Sequence, residues 1–354
     1  PPSGASGASL IAYQIDLAQR IALGAQTLVQ RALDSLAHEA DGMPALLYCD
    51  SVAVLDGSDL DPPTNYRLLR LSDPDAPPSE THQRPLIVLD PRAGHGPGIG
   101  GFRRDSEVGV ALAFGHPVYF VAFDPVPPLT QTLADVLATL RRFVEEVRER
   151  HPDHQPALYG NCQAGWAVAL LCADCSGLTG PAVLNGSPIS YWAGDRGINP
   201  ARLAGGLVGG AWTVHLLADL GAGLFDGAWL IHNFETLHPA ETAWMKYVRL
   251  FANPREERER FLAFERWWGG GFFFSKPEIV AIVENLFIGN RLEAGEVRIC
   301  PCCYVDLRRI RNPLLIFASR GDDITPPQQA LHWIAQIYPD DQALAAAGQR
   351  LVYL

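Results

Sequence analysis

The stretch Leu158-Tyr159-Gly160-Asn161-Cys162-Gln163-Ala164-Gly165-Trp166 passes from an apolar, strand-like segment straight into an apolar helical one. It has the form G-x-C-x-A-G, the cysteine version of the G-x-S-x-G turn that presents a nucleophile between a strand and a helix. Strand and helix nearly collide in such a turn, so the flanking positions must be small. Here Gly160 lies two residues before the cysteine, Ala164 two after it, and Gly165 next. The backbone N–H of Gln163 would help hold an oxyanion, and the helix N-terminus behind it favours a thiolate. The competing reading of Cys162 is a small buried thiol with no chemistry.

On both sides of this turn, short apolar runs alternate with helical patterns. Tyr66–Leu71, Pro85–Asp90, Pro117–Asp124, Pro156–Asn161, Pro181–Gly186, Pro313–Ser319 and Arg350–Leu354 read as strands, rich in Val, Leu, Ile, Tyr and Phe and bounded by Pro, Gly, Asp or Asn. Several show almost no polar alternation, as expected of strands covered on both faces. Leu133, Val136, Leu137, Leu140, Phe143, Val144 and Val147 recur at helical spacing within Thr130–Arg150, and Gln163–Cys175 and Pro326–Tyr338 are further helical segments. The alternation predicts an α/β class with a mostly parallel, doubly wound sheet. With the nucleophile turn in mid-chain, this is the α/β-hydrolase fold.

Between about Ser187 and Ile310 the rhythm breaks: this segment holds six of the eight tryptophans and many glycines but no strand series. It reads as an insertion capping the sheet, whose aromatics would suit a greasy acyl substrate or simply pack together. The expected organisation is an N-terminal helical extension over 1–45, a first core part over 46–186, the cap over 187–310 and a second core part over 311–354. The start at Pro1 without methionine suggests a missing or processed N-terminus, and the C-terminus reads as truncated.

The chain has 354 residues, 48% hydrophobic and 19% charged, with a net charge of −11. This excludes a disordered chain and argues against nucleic acid as a partner. Leu10–Ala40 is interrupted by Asp16, Gln19, Arg20, Gln26, Gln30 and Arg31, so it suits a helix on a protein or surface, and no segment suits a membrane span. Seven cysteines, an odd number, point to a reducing, cytoplasmic location without a disulfide framework. Cys172 and Cys175 form C-x-x-C on an apolar helical stretch, and Cys300, Cys302 and Cys303 cluster; zinc was weighed against buried thiols, and no metal is expected.

The acid of a triad should follow a late strand. Arg320-Gly321-Asp322-Asp323-Ile324-Thr325-Pro326 follows Pro313–Ser319, with Asp322 the first choice and Asp323 the second; an Asp-rich helix cap is the plainer alternative. In the order nucleophile, acid, histidine, the base should come after the last strand. His332 is the only histidine after Asp322 and lies in a helical pattern, so the base is expected beyond Leu354 or from elsewhere. Asp90–Phe102 contains Gly96-Pro97-Gly98-Ile99-Gly100-Gly101, formally G-x-G-x-x-G, with Asp124 ending the next strand. The glycines begin too late after the strand for a dinucleotide turn, and Gly94, His95 and Gly96 instead suit an oxyanion or substrate loop. His95 is also a candidate substitute base, and Arg92, Arg103 and Arg104 a candidate patch for coenzyme A phosphates. His215, His232 and His238 have no motif around them.

G-N-C-Q-A-G-W at Gly160–Trp166, D-P-R-A-G-H-G-P-G-I-G-G-F at Asp90–Phe102 and G-D-D-I-T-P-P at Gly321–Pro327 resemble poly(3-hydroxyalkanoate) synthase-related proteins of a little-characterised synthase-like branch. G-H-P-V-Y-F at Gly115–Phe120, S-Y-W-A-G at Ser190–Gly194 and E-R-W-W-G-G at Glu265–Gly270 extend the resemblance from about Asn65 to the end. It implies an acyltransferase that carries a hydroxyacyl group as a thioester on Cys162, assisted by Asp322 and a later histidine, with a coenzyme A thioester as substrate and no cofactor. It also implies a polyester granule association and a homodimer. Ala164 departs from the paired glycines of the family's elbow. A cysteine hydrolase (a thioesterase or polyester depolymerase) and a catalytically silent granule-associated or scaffolding protein are the alternatives.

Overall fold

The computed structural model describes residues 7–79, 82–175, 177–194, 207, 209–300, 303–322 and 324–354, the side chains of 7, 8, 299, 300 and 303 excepted. The chain opens with a long helix, α1 (Gly7–Ala40), followed by β1 (Asp50–Asp56), β2 (Tyr66–Ser72) and β3 (Leu86–Leu89). Then come α2 (Glu107–Ala113), β4 (Val118–Phe123), α3 (Leu133–Arg150), β5 (Ala157–Asn161), α4 (Ala164–Asp174) and β6 (Ala182–Asn185). Next are α5 (Trp212–Leu220), β7 (Leu224–Asp226), α6 (Ala228–Glu235), α7 (Lys246–Ala252), α8 (Glu257–Trp268), β8 (Phe273–Ser275), α9 (Lys276–Ile282), α10 (Arg291–Ala294), β9 (Val297–Cys300) and β10 (Cys303–Val305). The chain returns with β11 (Leu314–Phe317), α11 (Pro327–Ile337), α12 (Asp341–Ala346) and β12 (Leu351–Tyr353).

Eight strands form one sheet in the order β1-β2-β4-β3-β5-β6-β11-β12. β2 runs antiparallel to β1 and β4, and every other pairing is parallel. This order, with the second strand reversed, is that of the α/β-hydrolase fold. All seven strands read from the sequence lie in this sheet. The strand missed is β1, an edge strand whose ends, Asp50, Ser51 and Asp56, are polar and whose middle is largely exposed. Four short strands also lie between β6 and β11, where the sequence shows none. They pair as β7 with β8 and β9 with β10, each too short to leave a pattern.

Alternation along β4 builds two cores. Val118, Phe120 and Ala122 meet Val108, Ala111 and Leu112 of α2, whereas Tyr119, Val121 and Phe123 join the larger cluster with α3 and α4. α3 starts at a capping box, with the Thr132 hydroxyl accepting from the Asp135 N–H and the Asp135 carboxylate accepting from the Thr132 N–H. α4 has no charged residue before Asp174 and is buried from Ala164 to Ala173, which makes it the central helix under the sheet. The parallel strands β3, β5, β6 and β11 all end at one sheet edge, and the loops that leave this edge hold the candidate residues.

Candidate active site

Cys162 has a φ of 47°, in the left-handed region that a residue with a side chain rarely occupies. The turn is held by two backbone bonds: the Cys162 N–H donates to Asn185 O at 2.8 Å, and Gly165 N–H donates to Cys162 O at 3.0 Å. The small neighbours follow from contact. A Cβ on Gly160 would lie 2.8 Å from Ala164 O and from the Gly165 Cα, and one on Gly165 would lie 1.8 Å from Ser187 Oγ. Strand β5 and helix α4 therefore approach as closely as the turn allows, and the strained residue between them is Cys162.

Asp322 stands on the loop after β11, the position of a triad acid. Its Oδ1 accepts from the N–H of Ile324 at 2.9 Å and of Thr325 at 2.8 Å, which fixes the carboxylate locally. The turn at Gly186 brings β6 against the same group, since a Cβ there would lie 3.4 Å from Asp322 Oδ2. Burial pushes the Cys162 thiol up to about 11, and the negative charge of Asp322 pushes the same way. The Gln163 N–H and the Thr325 hydroxyl act in the opposite sense, favouring the thiolate. Thr325 is buried and its hydroxyl has no other partner. The buried Tyr191 phenol also feels the Cys162 charge. Sequence reading missed Thr325 and Tyr191. The D-x-x-T spacing at Asp322–Thr325 was a signal for the first, and the S-Y-W-A-G motif at Ser190–Gly194 held the second without pointing to a role. Asp323, the second-choice acid, lies outside the described residues.

The glycine-rich loop is organised by a different residue. The buried Asp90 carboxylate accepts from Gly98 N–H at 2.7 Å and from Gly100 N–H at 3.4 Å. Burial pushes this carboxyl up to about 7, against the pull of those amides. Donors that a dinucleotide would need for its pyrophosphate are thus taken by an internal carboxylate, which rules out the G-x-G-x-x-G reading on geometry as well as spacing. Gly100 reaches the elbow: a Cβ on it would lie 3.4 Å from Asn161 Nδ2. Asn161 in turn accepts at Oδ1 from Asn185 Nδ2 at 2.8 Å.

Gly94 and Gly96 face the segment between β6 and β11. Gly94 packs on Gly227, Gly96 on the Phe272 ring, and Gly94 O accepts from Phe272 N–H at 3.0 Å. His95 is buried, with ring centroids 4.4 Å from Trp267 and 5.8 Å from Trp268. Its Nδ1 donates to Gly96 O at 2.9 Å, and burial pushes its pKa down to about 4, so the ring is neutral. A cavity of about 480 Å³ opens near these aromatics; Phe234, Phe264, Trp268 and Ile324 line it together with several charged side chains, Arg103 and Lys246 among them.

The expected phosphate patch does not form. Arg92 is buried: its Nε bonds Glu278 at 3.2 Å, its Nη2 donates to Phe273 O at 2.7 Å, and its guanidinium lies over the Phe123 and Phe274 rings. Arg103 pairs with Asp105 and Arg104 with Asp75. Asp124 pairs with Arg67 at 2.9 Å. His332 is exposed on α11 and bonds Glu293 at 2.5 Å, as a surface role requires. Cys172 and Cys175 are buried free thiols, and the side chains of Cys300, Cys302 and Cys303 lie outside the described residues. Among the described residues no three His, Cys, Asp or Glu side chains gather as a metal site.

Residues 16–354 match the family described as "Protein of unknown function (DUF3141)". The chain belongs to that family. This DUF3141 chain is 45% identical over 343 residues to the "Uncharacterized protein in ackA 5'region" of Rhizobium meliloti, covering 96% of the chain and 47% of that protein. It is 24% identical over 244 residues to the poly(3-hydroxyalkanoate) polymerase subunit PhaC of Haloarcula marismortui, covering 65% of the chain and 48% of the subunit. The DUF3141 chain thus spans about half the length of these curated relatives. Among solved structures it is similar to a monoacylglycerol lipase from Paleococcus ferrophilus, with a TM-score of 0.45 and 14% identity over 77% of the chain and 86% of the lipase. A hydrolase from Pseudomonas aeruginosa aligns with a TM-score of 0.44 and 18% identity over 86% of the chain and 90% of that protein.

Proposed function

We propose that this chain is an acyltransferase that uses Cys162 as its nucleophile on hydroxyacyl thioesters. The observation that carries the reading is the left-handed turn at Cys162, between a central parallel strand and the buried helix α4, with Asp322 close enough for its charge to act on the thiol. The partial similarity to PhaC subunits supports acyl transfer over other chemistries of the fold. The cavity beside Ile324 is lined by both aromatic and charged side chains, and its Phe234, Phe264 and Trp268 side would take the acyl chain.

In the first step the Cys162 thiolate attacks the thioester carbonyl and the electron pair moves onto oxygen, which the Gln163 N–H would hold. Collapse expels the leaving thiolate, which takes up the proton that Cys162 gave to the base. In the second step a hydroxyl gives its proton to the base and attacks the acyl-cysteine, and Cys162 leaves. Asp322 would orient that base, as the acid of a triad orients its histidine. Acyl exchange between two sulfurs is nearly balanced in free energy, so cysteine suits transfer better than serine here.

Incubation with 3-hydroxybutyryl coenzyme A followed by intact-mass spectrometry tests the proposal. The expected result is one added hydroxyacyl group, mapped to Cys162 and lost in Cys162→Ala. Labelling that persists in Cys162→Ala, or turnover reduced by less than about tenfold, overturns it.

A further inference from the structure

The helix α1 is inside out. Its packed side, against α7 and α8, carries polar groups: Arg31 pairs with the buried Glu265 at 2.9 Å, which also holds Lys246 at 2.8 Å, and Arg20 bonds the Ala252 carbonyl. Thr27 and His38 are buried on the same side. The outward side carries Leu10, Ile11, Ile15, Ile21, Leu28, Val29, Leu33 and Leu36, each between 41 and 62% exposed. An ordinary surface helix does the reverse.

The outward face is built as a seam. Ile15, Ala22, Val29 and Leu36 recur every seven residues, and Ile11, Ala18, Ala25 and Ala32 recur every seven residues between them, over most of the 34-residue helix. Small residues sit at its middle and large ones towards both ends, so the surface is self-complementary about its own centre, as a two-fold contact requires. The eight large side chains together present on the order of 800 Å² of exposed surface, about what one partner contributes to a standard interface. The helix carries no lysine, and the arginines at 20 and 31 are held inward, so the basic rim of a membrane-surface helix is missing.

We propose that the outward face of α1 is the contact between two copies of this chain. Sedimentation equilibrium of the full chain at tens of micromolar should give twice the chain mass. Val29→Asp with Leu36→Asp should raise the dissociation constant at least about a hundredfold, because each places an unpaired charge in the seam. The inner polar contacts are untouched, so the circular dichroism spectrum should not change. Ala25→Arg, at the small-residue centre, tests the same contact independently of that pair. A chain that stays monomeric at this concentration overturns the proposal, whether lipid or another protein then covers the face. A dimer that survives the substitutions overturns it equally.

Discussion

Two connections leave the same sheet edge, side by side, and do opposite things with their backbone. The β5–α4 turn needs only Cys162 and Gln163 between strand and helix, and it holds Cys162 in a left-handed conformation. The β3–α2 connection takes seventeen residues, 90–106, and turns its amides inward onto the Asp90 carboxylate. Glycines flank the first, at Gly160 and Gly165, and fill the second, and both precede a helix. The difference is what satisfies the amides: at the elbow the Gln163 N–H faces the thiol, and in the long loop the protein supplies its own acceptor, the Asp90 carboxyl. A glycine-rich loop after a strand is therefore a binding site only where no internal carboxylate has already filled it.

Removing that acceptor should produce the largest change. Asp90→Ala leaves buried N–H groups at Gly98 and Gly100 without an acceptor and should cost about 3 kcal/mol of stability at pH 6, read from urea denaturation. The sign of the pH dependence separates Asp90 from an ordinary paired carboxylate. Its folded pKa of about 7 lies above the ordinary aspartate value of 3.8, so its contribution is fully present below about 4 and is lost as pH rises to 7. The wild type should therefore lose up to about 4 kcal/mol relative to Asp90→Asn across that window. A difference that grows in the opposite direction would mean the carboxylate is stabilised as an anion.

The elbow should break more locally. Gly165→Ala puts a methyl group 1.8 Å from Ser187 Oγ and 2.2 Å from its Cβ, so strand β6 must move away from α4. A destabilisation of about 2 kcal/mol is expected in thermal unfolding, with acylation reduced further because the turn is displaced. Ser187→Gly in the same chain should recover most of the stability. If it does not, the closeness of strand and helix is not set by this contact.

How much of this was readable from residues alone depended on whether the partners are neighbours in sequence. The elbow is decided by six adjacent positions, Gly160–Gly165, and the sheet by runs of Val, Leu, Ile and Phe; both were legible. The place of Asp322 on the loop after β11 was legible through chain order. The role of Asp90 was not, because its partners are main-chain N–H groups, which every residue but proline carries. The direction of Arg92 was not, because Glu278 lies far along the chain and a lone arginine looks solvated. For α1 the helical period was visible, but which side would be packed was not: that depended on Glu265 meeting Arg31 across more than two hundred residues.

The smallest effect sharpens the comparison most, because it separates two roles of Asp322. As a member of a triad it should be required for turnover. As a negative charge near the thiol it opposes the thiolate, together with the burial that places Cys162 at about 11. Iodoacetamide modification of Cys162 should therefore be slow at pH 7 and rise about tenfold per pH unit up to pH 10, as a raised thiol pKa dictates. Asp322→Asn should make this alkylation severalfold faster while abolishing acyl transfer. Thr325→Ala should make it slower, since its hydroxyl favours the thiolate. A structural aspartate that merely caps the Ile324–Thr325 turn predicts otherwise: alkylation and transfer would then move together, following the stability of the loop. Opposite movement of the two rates in one variant would tie Asp322 to Cys162 by charge and to the reaction by position.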